Sequence, residues 1–287
     1  MRQQTAVRTA AATLFTATAV LALGSAANAD TIILEQGFEN TTAFPADTAL
    51  TTSTSDTSGR DGDTEWWHSN GLAASQPTPR SNTGATIYPV RTGAQSLEIT
   101  RNDPNNANLL ARSDTVSASA GTLSFEFYFK REASGSFTAK IADTSALATS
   151  VPTVFVIGDN RFAIHNGVDR NPNDANPTDP GWQTLDINGA AGGNGALDAT
   201  TWYGARMIID LAAKTYDTYL DQGAVFVQVG SATPYTDNVG DIDGLVFGPA
   251  GGQAYLDDVR LAVIPEPATV GLVAAGAALM LHRRAGR

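Results

Sequence analysis

Carboxylates, indole and phenol rings and three histidines are the groups of this 287-residue chain with reactive or ligand-binding chemistry. Their spacing matches no nucleophile or metal motif. There is no Gly-x-Ser-x-Gly and no His-Glu-x-x-His, and His68 and His165 stand alone in sequence while His282 belongs to the C-terminal tail. The glycine-rich run Gly189 to Gly195 lacks the Lys-Ser/Thr of a phosphate loop and reads as a turn. Asp169 to Asn176 begins with the alternating oxygen ligands of a calcium loop. It then fails, with Asp174 where an EF-hand needs Gly and Pro180 where it needs Glu, so Asn166 to Gly181 reads as a long surface loop. Glu126 and Glu132 are separated by Lys130 and Arg131, and Glu35 and Glu39 flank a glycine; neither pair has the placement of an acid/base couple. The chain is therefore expected not to be an enzyme.

Two groups of residues do suggest binding. Trp66, Trp67, Tyr88 and Trp182 lie in polar surroundings, where a flat ring can cover the apolar face of a sugar. Trp66 and Trp67 sit in the Ser/Thr/Gly/Asp-rich stretch Thr51 to Gly84, which reads as a long connection or a poorly ordered excursion, and at most one of them can face a core if that segment is extended. Trp202, before an amphipathic strand, is expected in the core. The second group is acidic. Strict alternation in Tyr255 to Leu261 puts Asp257 in the row of Tyr255, Val259 and Leu261, facing the core, where a carboxylate is costly unless paired or metal-bound. The alternative is that Asp257 or Asp258 caps a strand edge or pairs with Arg260.

The elements that must position these groups read as strands. In Gly121 to Lys130, Leu123, Phe125, Phe127 and Phe129 fall on one face and Ser124, Glu126, Tyr128 and Lys130 on the other. The same period runs through Gln95 to Thr100, Phe137 to Ile141, Thr153 to Ile157, Arg161 to His165, Arg206 to Leu211, Tyr216 to Leu220 and Val225 to Val229. Asp221-Gln222-Gly223 is a hairpin signal between the last two. No stretch between the termini keeps a helical period for three turns. The fold expected is all-β, a two-sheet antiparallel jelly-roll sandwich in one domain over 30-264.

The ends of the chain are of a different kind. Arg2 and Arg8 precede an apolar run from Ala10 to Leu23, and Ala27-Asn28-Ala29 offers a small-x-small site for signal peptidase before Asp30, so 1-29 reads as a signal peptide. A retained N-terminal anchor is the rival reading. At the other end Pro265, Glu266 and Pro267 precede an uncharged run, Ala268 to Leu281, and then Arg283, Arg284 and Arg287. As a helix, 268-281 would cover roughly 20 Å, short of the ~30 Å hydrocarbon core, with the arginines on the cytoplasmic side. The exported body holds thirteen Lys and Arg against twenty-eight Asp and Glu, a net of −15, and has no cysteine. Nucleic acid and anionic surfaces are poor partners for it, and disulfides cannot brace it.

The segment 265-287 resembles the PEP-CTERM sorting signal of exported proteins of Gram-negative bacteria. That resemblance implies cutting by an exosortase-type membrane protease at or near Pro265, Glu266 and Pro267, a transient membrane anchor, and delivery to the cell surface or the extracellular polysaccharide matrix. Gly37-Phe38-Glu39 near the start of the body, Thr201-Trp202-Tyr203, and Tyr255 to Leu261 near its end resemble the concanavalin A-like and laminin-G-like jelly rolls. This second resemblance implies a glycan-binding or structural module, and a structural Ca²⁺ against adjacent first and last strands, held by Glu39 and Asp257 with Asp258 in reserve. Glucanases of that superfamily carry Glu-x-Asp-x-x-Glu on one strand, and no such spacing occurs here. A polysaccharide hydrolase or lyase with a non-contiguous site is the alternative function.

Overall fold

A computed structural model of the protein describes residues 30–39, 44, 46–47, 54–56, 64–68, 77–83, 88–100, 109–113, 117–132, 136–143, 153–157, 161–165, 182–185, 197–221, 225–235 and 241–264. The expected signal peptide 1–29, the sorting segment 265–287 with its helix, the loop 166–181 and the glycine run 189–195 lie outside the described residues. Thr31–Val263 forms one compact unit.

The described elements are all strands, as the alternating pattern requires. They are β1 (Thr31–Gln36), β2 (Thr54–Asp56), β3 (Thr64–His68), β4 (Thr78–Ser81), β5 (Gln95–Thr100), β6 (Leu109–Ser113), β7 (Thr122–Arg131) and β8 (Ser136–Ala142). The second half holds β9 (Thr153–Ile157), β10 (Arg161–His165), β11 (Trp182–Leu185), β12 (Tyr203–Asp210), β13 (Thr215–Asp221), β14 (Phe226–Pro234), β15 (Gly244–Gly251) and β16 (Gln253–Ile264). One sheet runs β14-β13-β12-β7-β16-β5-β4, with β1 also paired to β16; the other runs β11-β10-β9-β8-β15-β6-β3-β2. Non-sequential neighbours such as β7 and β16, or β8 and β15, make this the antiparallel jelly-roll sandwich that the sequence predicts.

The core is the sum of the inward rows. Leu123, Phe125, Phe127 and Phe129 of β7 are all fully buried. Phe127 meets Phe247 of β15 edge-on at 5.5 Å, and Phe129 stacks on Phe162 of β10 at 6.4 Å, so the rings of one sheet interlock with those of the other. Tyr203, not Trp202, takes the core position at the start of β12, with its ring 5.8 Å from Phe129. Trp202 is only half-buried, one residue out of phase with the inward row.

Three sequence expectations are corrected. The stretch Thr51 to Gly84 is not one long connection, since β2, β3 and β4 lie within it. The strand expected over Val225 to Val229 continues to Pro234. Asp257 does not share a face with Val259 and Leu261. The core row of β16 is Ala254 and Leu256, then Val259 and Leu261, because Asp258 takes a left-handed φ of 47° and shifts the parity by one. Asp257 keeps to the outward row of Tyr255, although it too is fully buried.

That bulge marks a change of partner. On one edge β16 pairs with β5 through Gln253–Leu256, and then with β1 through Val259–Val263. The two partners lie end to end along one strand, leaving a junction between Gln36 and Gln95. Phe127 lies fully buried in the inter-sheet core, and Phe127→Ala is expected to lower unfolding free energy by about 3–5 kcal/mol in urea titrations, with the m-value unchanged.

Candidate functional site

The junction is closed by carboxylates. Asp257 Oδ2 accepts hydrogen bonds from the backbone N–H of Arg91 at 3.1 Å and of Thr92 at 3.3 Å, and its Oδ1 accepts from Asp258 N–H at 2.9 Å. Glu39 accepts from Ala94 N–H at 2.9 Å and Gln95 N–H at 3.1 Å. The segment Arg91 to Gln95 is thus held at both ends by acids from distant parts of the chain. Gly93 allows this: its φ is +65°, and a β-carbon there would lie 2.3 Å from Glu39 Oε1.

This geometry ties Glu39 and Asp257 to the same segment, Arg91 to Gln95, but it does not fit a Ca²⁺ ion between them. All four carboxylate oxygens already accept backbone N–H groups, whose positive ends repel a cation, and Asp258 is turned to Arg91 and Thr92. No group of three or more His, Asp or Glu side chains among the described residues is placed to hold a metal. Burial, aided by the neighbouring Asp258 charge, pushes the Asp257 carboxyl up to about 7 against the pull of its three N–H donors.

The held segment carries Arg91 over the outward face of the first sheet. Its guanidinium carbon lies 3.2 Å from the centroid of the Tyr128 ring, and its head group pairs with Asp258. From there the strand registers set two parallel rows. One runs Phe226, Asp221, Gly204, Tyr128 across β14, β13, β12 and β7; the next runs Gln228, Tyr219, Arg206, Glu126. Gly204 lets the first row close, because a β-carbon there would stand 2.6 Å from Tyr128 Cε1 and 3.0 Å from Phe226 Cζ. Without it the two rings lean together at 6.0 Å. Arg206 joins the rows, with its guanidinium 4.0 Å from the Phe226 centroid and its nitrogens 2.6 Å and 2.7 Å from Glu126 Oε2. Burial raises the Tyr128 phenol, which stays neutral.

The result is a continuous strip of rings and fixed charges: Asp258, Arg91, Tyr128, Phe226, Arg206, Glu126. Tyr128 is buried beneath Arg91, so what the strip presents is the partly exposed Phe226 ring, the guanidinium planes of Arg91 and Arg206 and their paired acceptors, a combination suited to a ligand with both C–H faces and hydroxyl or carboxyl groups. Sequence reasoning places Glu126 and Tyr128 on the outward face of β7. It misses the strip, because only the register across β14, β13, β12 and β7 assembles it. The other predicted aromatics do not join it. Tyr88 is half-buried with Arg80 4.6 Å above its ring, and Arg80 is paired to Glu98 and Asp47. Trp66 and Trp67 lie on β3 and Trp182 on β11, all in the opposite sheet; their side chains are outside the described residues. Ala27 and Ala29 of the signal cleavage site, and Pro265, Glu266 and Pro267, are likewise outside them.

No protein-family model and no curated protein matches this chain. Among solved structures it is similar to a sialidase, at 12% identity and TM-score 0.48, over 77% of this chain and 19% of the sialidase. It is also similar to an endo-1,3-beta-glucanase from Streptomyces sioyaensis (13% identity, TM-score 0.43, 83% of this chain and 98% of that one). A third similarity is to a carbohydrate binding module from Bacillus subtilis (11% identity, TM-score 0.35, 58% and 86%).

Because the raised Asp257 group binds its proton more tightly folded than unfolded, its contribution is complete below the ordinary carboxylate range near 3.8 and is lost as pH rises through about 7. Urea titrations between pH 4 and 8 are expected to show stability falling by a few kcal/mol across that window, at ~1.36 kcal/mol per unit. The same series on Asp257→Asn should give a flatter slope.

Proposed function

We propose that this chain is an exported glycan-binding protein without catalytic activity, directed to the cell surface or the extracellular polysaccharide matrix. The observation that carries the binding half is the outward strip in which Arg91, Tyr128, Phe226 and Arg206 stack in sequence. Sugar rings are recognised by such surfaces because the ring C–H face packs on an aromatic or guanidinium plane while hydroxyls take fixed donors and acceptors. The non-catalytic half is supported by how the acids are used. Glu126 is paired to Arg206, Asp258 to Arg91 and Glu98 to Arg80, whereas glycoside cleavage needs one carboxyl to give a proton and a second to attack or activate water.

The export half rests on the sequence of the two ends: signal peptidase acts before Asp30, and an exosortase-type protease acts at Pro265-Glu266-Pro267 once the short helix 268–281 has held the chain at the membrane. The strong negative charge of the body keeps it soluble in a matrix and off nucleic acid.

Titration against acidic and neutral extracellular polysaccharides is expected to show binding that Phe226→Ala and Arg206→Ala each weaken by about tenfold, the loss of ~1.4 kcal/mol of contact. Binding to no polymer would sink the glycan reading, and release of reducing ends or unsaturated products would replace it with the hydrolase or lyase. Mass spectrometry of culture medium should find a chain ending near Pro265 to Pro267; a secreted species still carrying Arg287 would refute the processing step.

A further inference from the structure

At the side of the sandwich where β14 ends one sheet and β11 ends the other, the core gives way to polar groups. The inward row of β13 is Tyr216, Thr218 and Leu220, and Thr218 faces Gly230 on β14. Across the gap Ile164 of β10 faces Gln183 of β11, so Gln183 occupies an inward position although it is exposed. The two faces meet here: a β-carbon on Gly230 would stand 3.4 Å from Ile164 Cδ1.

Edge strand β14 is shaped to leave this place open. Its register with β13 slips twice, once with Val229 as the extra residue and again before Thr233, where Ala232 adopts a φ of 47° and its N–H is held by Asp217 Oδ1 at 2.7 Å. Bulges of this kind re-aim side chains and concentrate at sheet edges and binding sites. Between them lies a groove of about 390 Å³, lined by Gln183, Gln228, Val229, Gly230, Ser231 and Thr233. That is within the ~300–1,000 Å³ range of ligand sites. Among the described residues its lining offers amides, hydroxyls and backbone but no charged side chain, and Val229 supplies apolar surface.

Beneath Gly230 is a second sign. Thr218 is fully buried and its hydroxyl has no hydrogen-bond partner among the described residues. Such a group costs about 1–3 kcal/mol. Thr218 Oγ1 would be 3.7 Å from a β-carbon on Gly230, so the shortest way to it from the groove is over the residue that has no side chain.

We propose that this edge groove is a binding site separate from the outward strip, for one unit of an uncharged polyhydroxyl chain such as a neutral polysaccharide. The ring's C–H face lies on Val229, its hydroxyls meet Gln183, Gln228 and Ser231, and one reaches the Thr218 hydroxyl over Gly230. Among the described lining residues none is a cation that would balance a uronic acid or a sulfated sugar, which favours a neutral unit.

The test is calorimetric titration of the full chain with glucose hexasaccharides of α-1,4, β-1,4 and β-1,3 linkage, repeated on Gly230→Leu, Thr218→Val and Phe226→Ala. Saturable binding by at least one is expected. Gly230→Leu should remove the share of binding that the groove contributes, and all binding that remains in Phe226→Ala, by filling the groove. Thr218→Val should weaken it roughly tenfold while leaving the melting temperature unchanged or higher, because it removes an unpartnered hydroxyl. If Gly230→Leu melts lower than the parent chain, the isosteric Thr218→Val decides alone. Binding of none of the three sugars, or affinity unchanged in Gly230→Leu or in Thr218→Val, overturns the proposal. Loss in Phe226→Ala alone would assign the sugar to the outward strip and remove the edge site, leaving the glycan-binding reading intact.

Discussion

Backbone N–H groups at a strand junction need acceptors, and in this sandwich that requirement is met by two acids. β16 gives one edge first to β5 and then to β1, which leaves the N–H groups of Arg91, Thr92, Ala94 and Gln95 without a carbonyl partner on β16. Asp257 and Glu39 supply the missing acceptors from opposite ends of the chain sequence. Everything outward of that point follows. The held segment fixes Arg91, Arg91 covers Tyr128, and Tyr128 meets Phe226 over the bare backbone of Gly204. A feature that family resemblance assigns to a cation is thus a device for ending one strand and starting another.

The two faces of the first sheet divide the labour. Its inward rows are continuous hydrocarbon, with Phe125, Phe127 and Phe129 locked against Phe247 and Phe162. Its outward rows hold every ring beside a charge. Because neighbours in register share a face, a single glycine at 204 governs how residues three strands apart approach each other. At two places where parity slips, Asp258 and β14, side chains leave the simple alternation: a buried carboxylate lies at one and an unpartnered hydroxyl at the other.

Regular strands were legible in the sequence. Gln95–Thr100, Thr153–Ile157 and Arg161–His165 have the bounds that the alternation predicts, and β7 differs by a residue at each end. What alternation does not carry is irregularity and weakly apolar pairing. β2 and β4 are built of Thr, Ser, Asp, Pro and Arg with no aliphatic residue, a composition shared with turns, β3 is Thr-Glu-Trp-Trp-His with no alternation to read, and the pairing of all three is decided by neighbouring strands. β15 hides behind Gly244, Gly248, Pro249 and Gly251 although it is central in its sheet. The burial of Asp257 was foreseeable, but its face was not, because the turn to positive φ at Asp258 depends on where β5 stops. The strip was illegible for a similar reason: Phe226, Arg206 and Glu126 are up to a hundred residues apart, and only long-range register joins them.

The outer strands have a further effect. Pro79 sits in β4 and Pro234 closes β14, and β14 is broken twice in nine residues. A strand that lacks an N–H, or that twists away from a flat ladder, makes a poor template for another chain. The two end strands of the first sheet's main path, β4 and β14, are blunted in this way, which makes each a poor place for a second copy to add a strand when the protein is crowded.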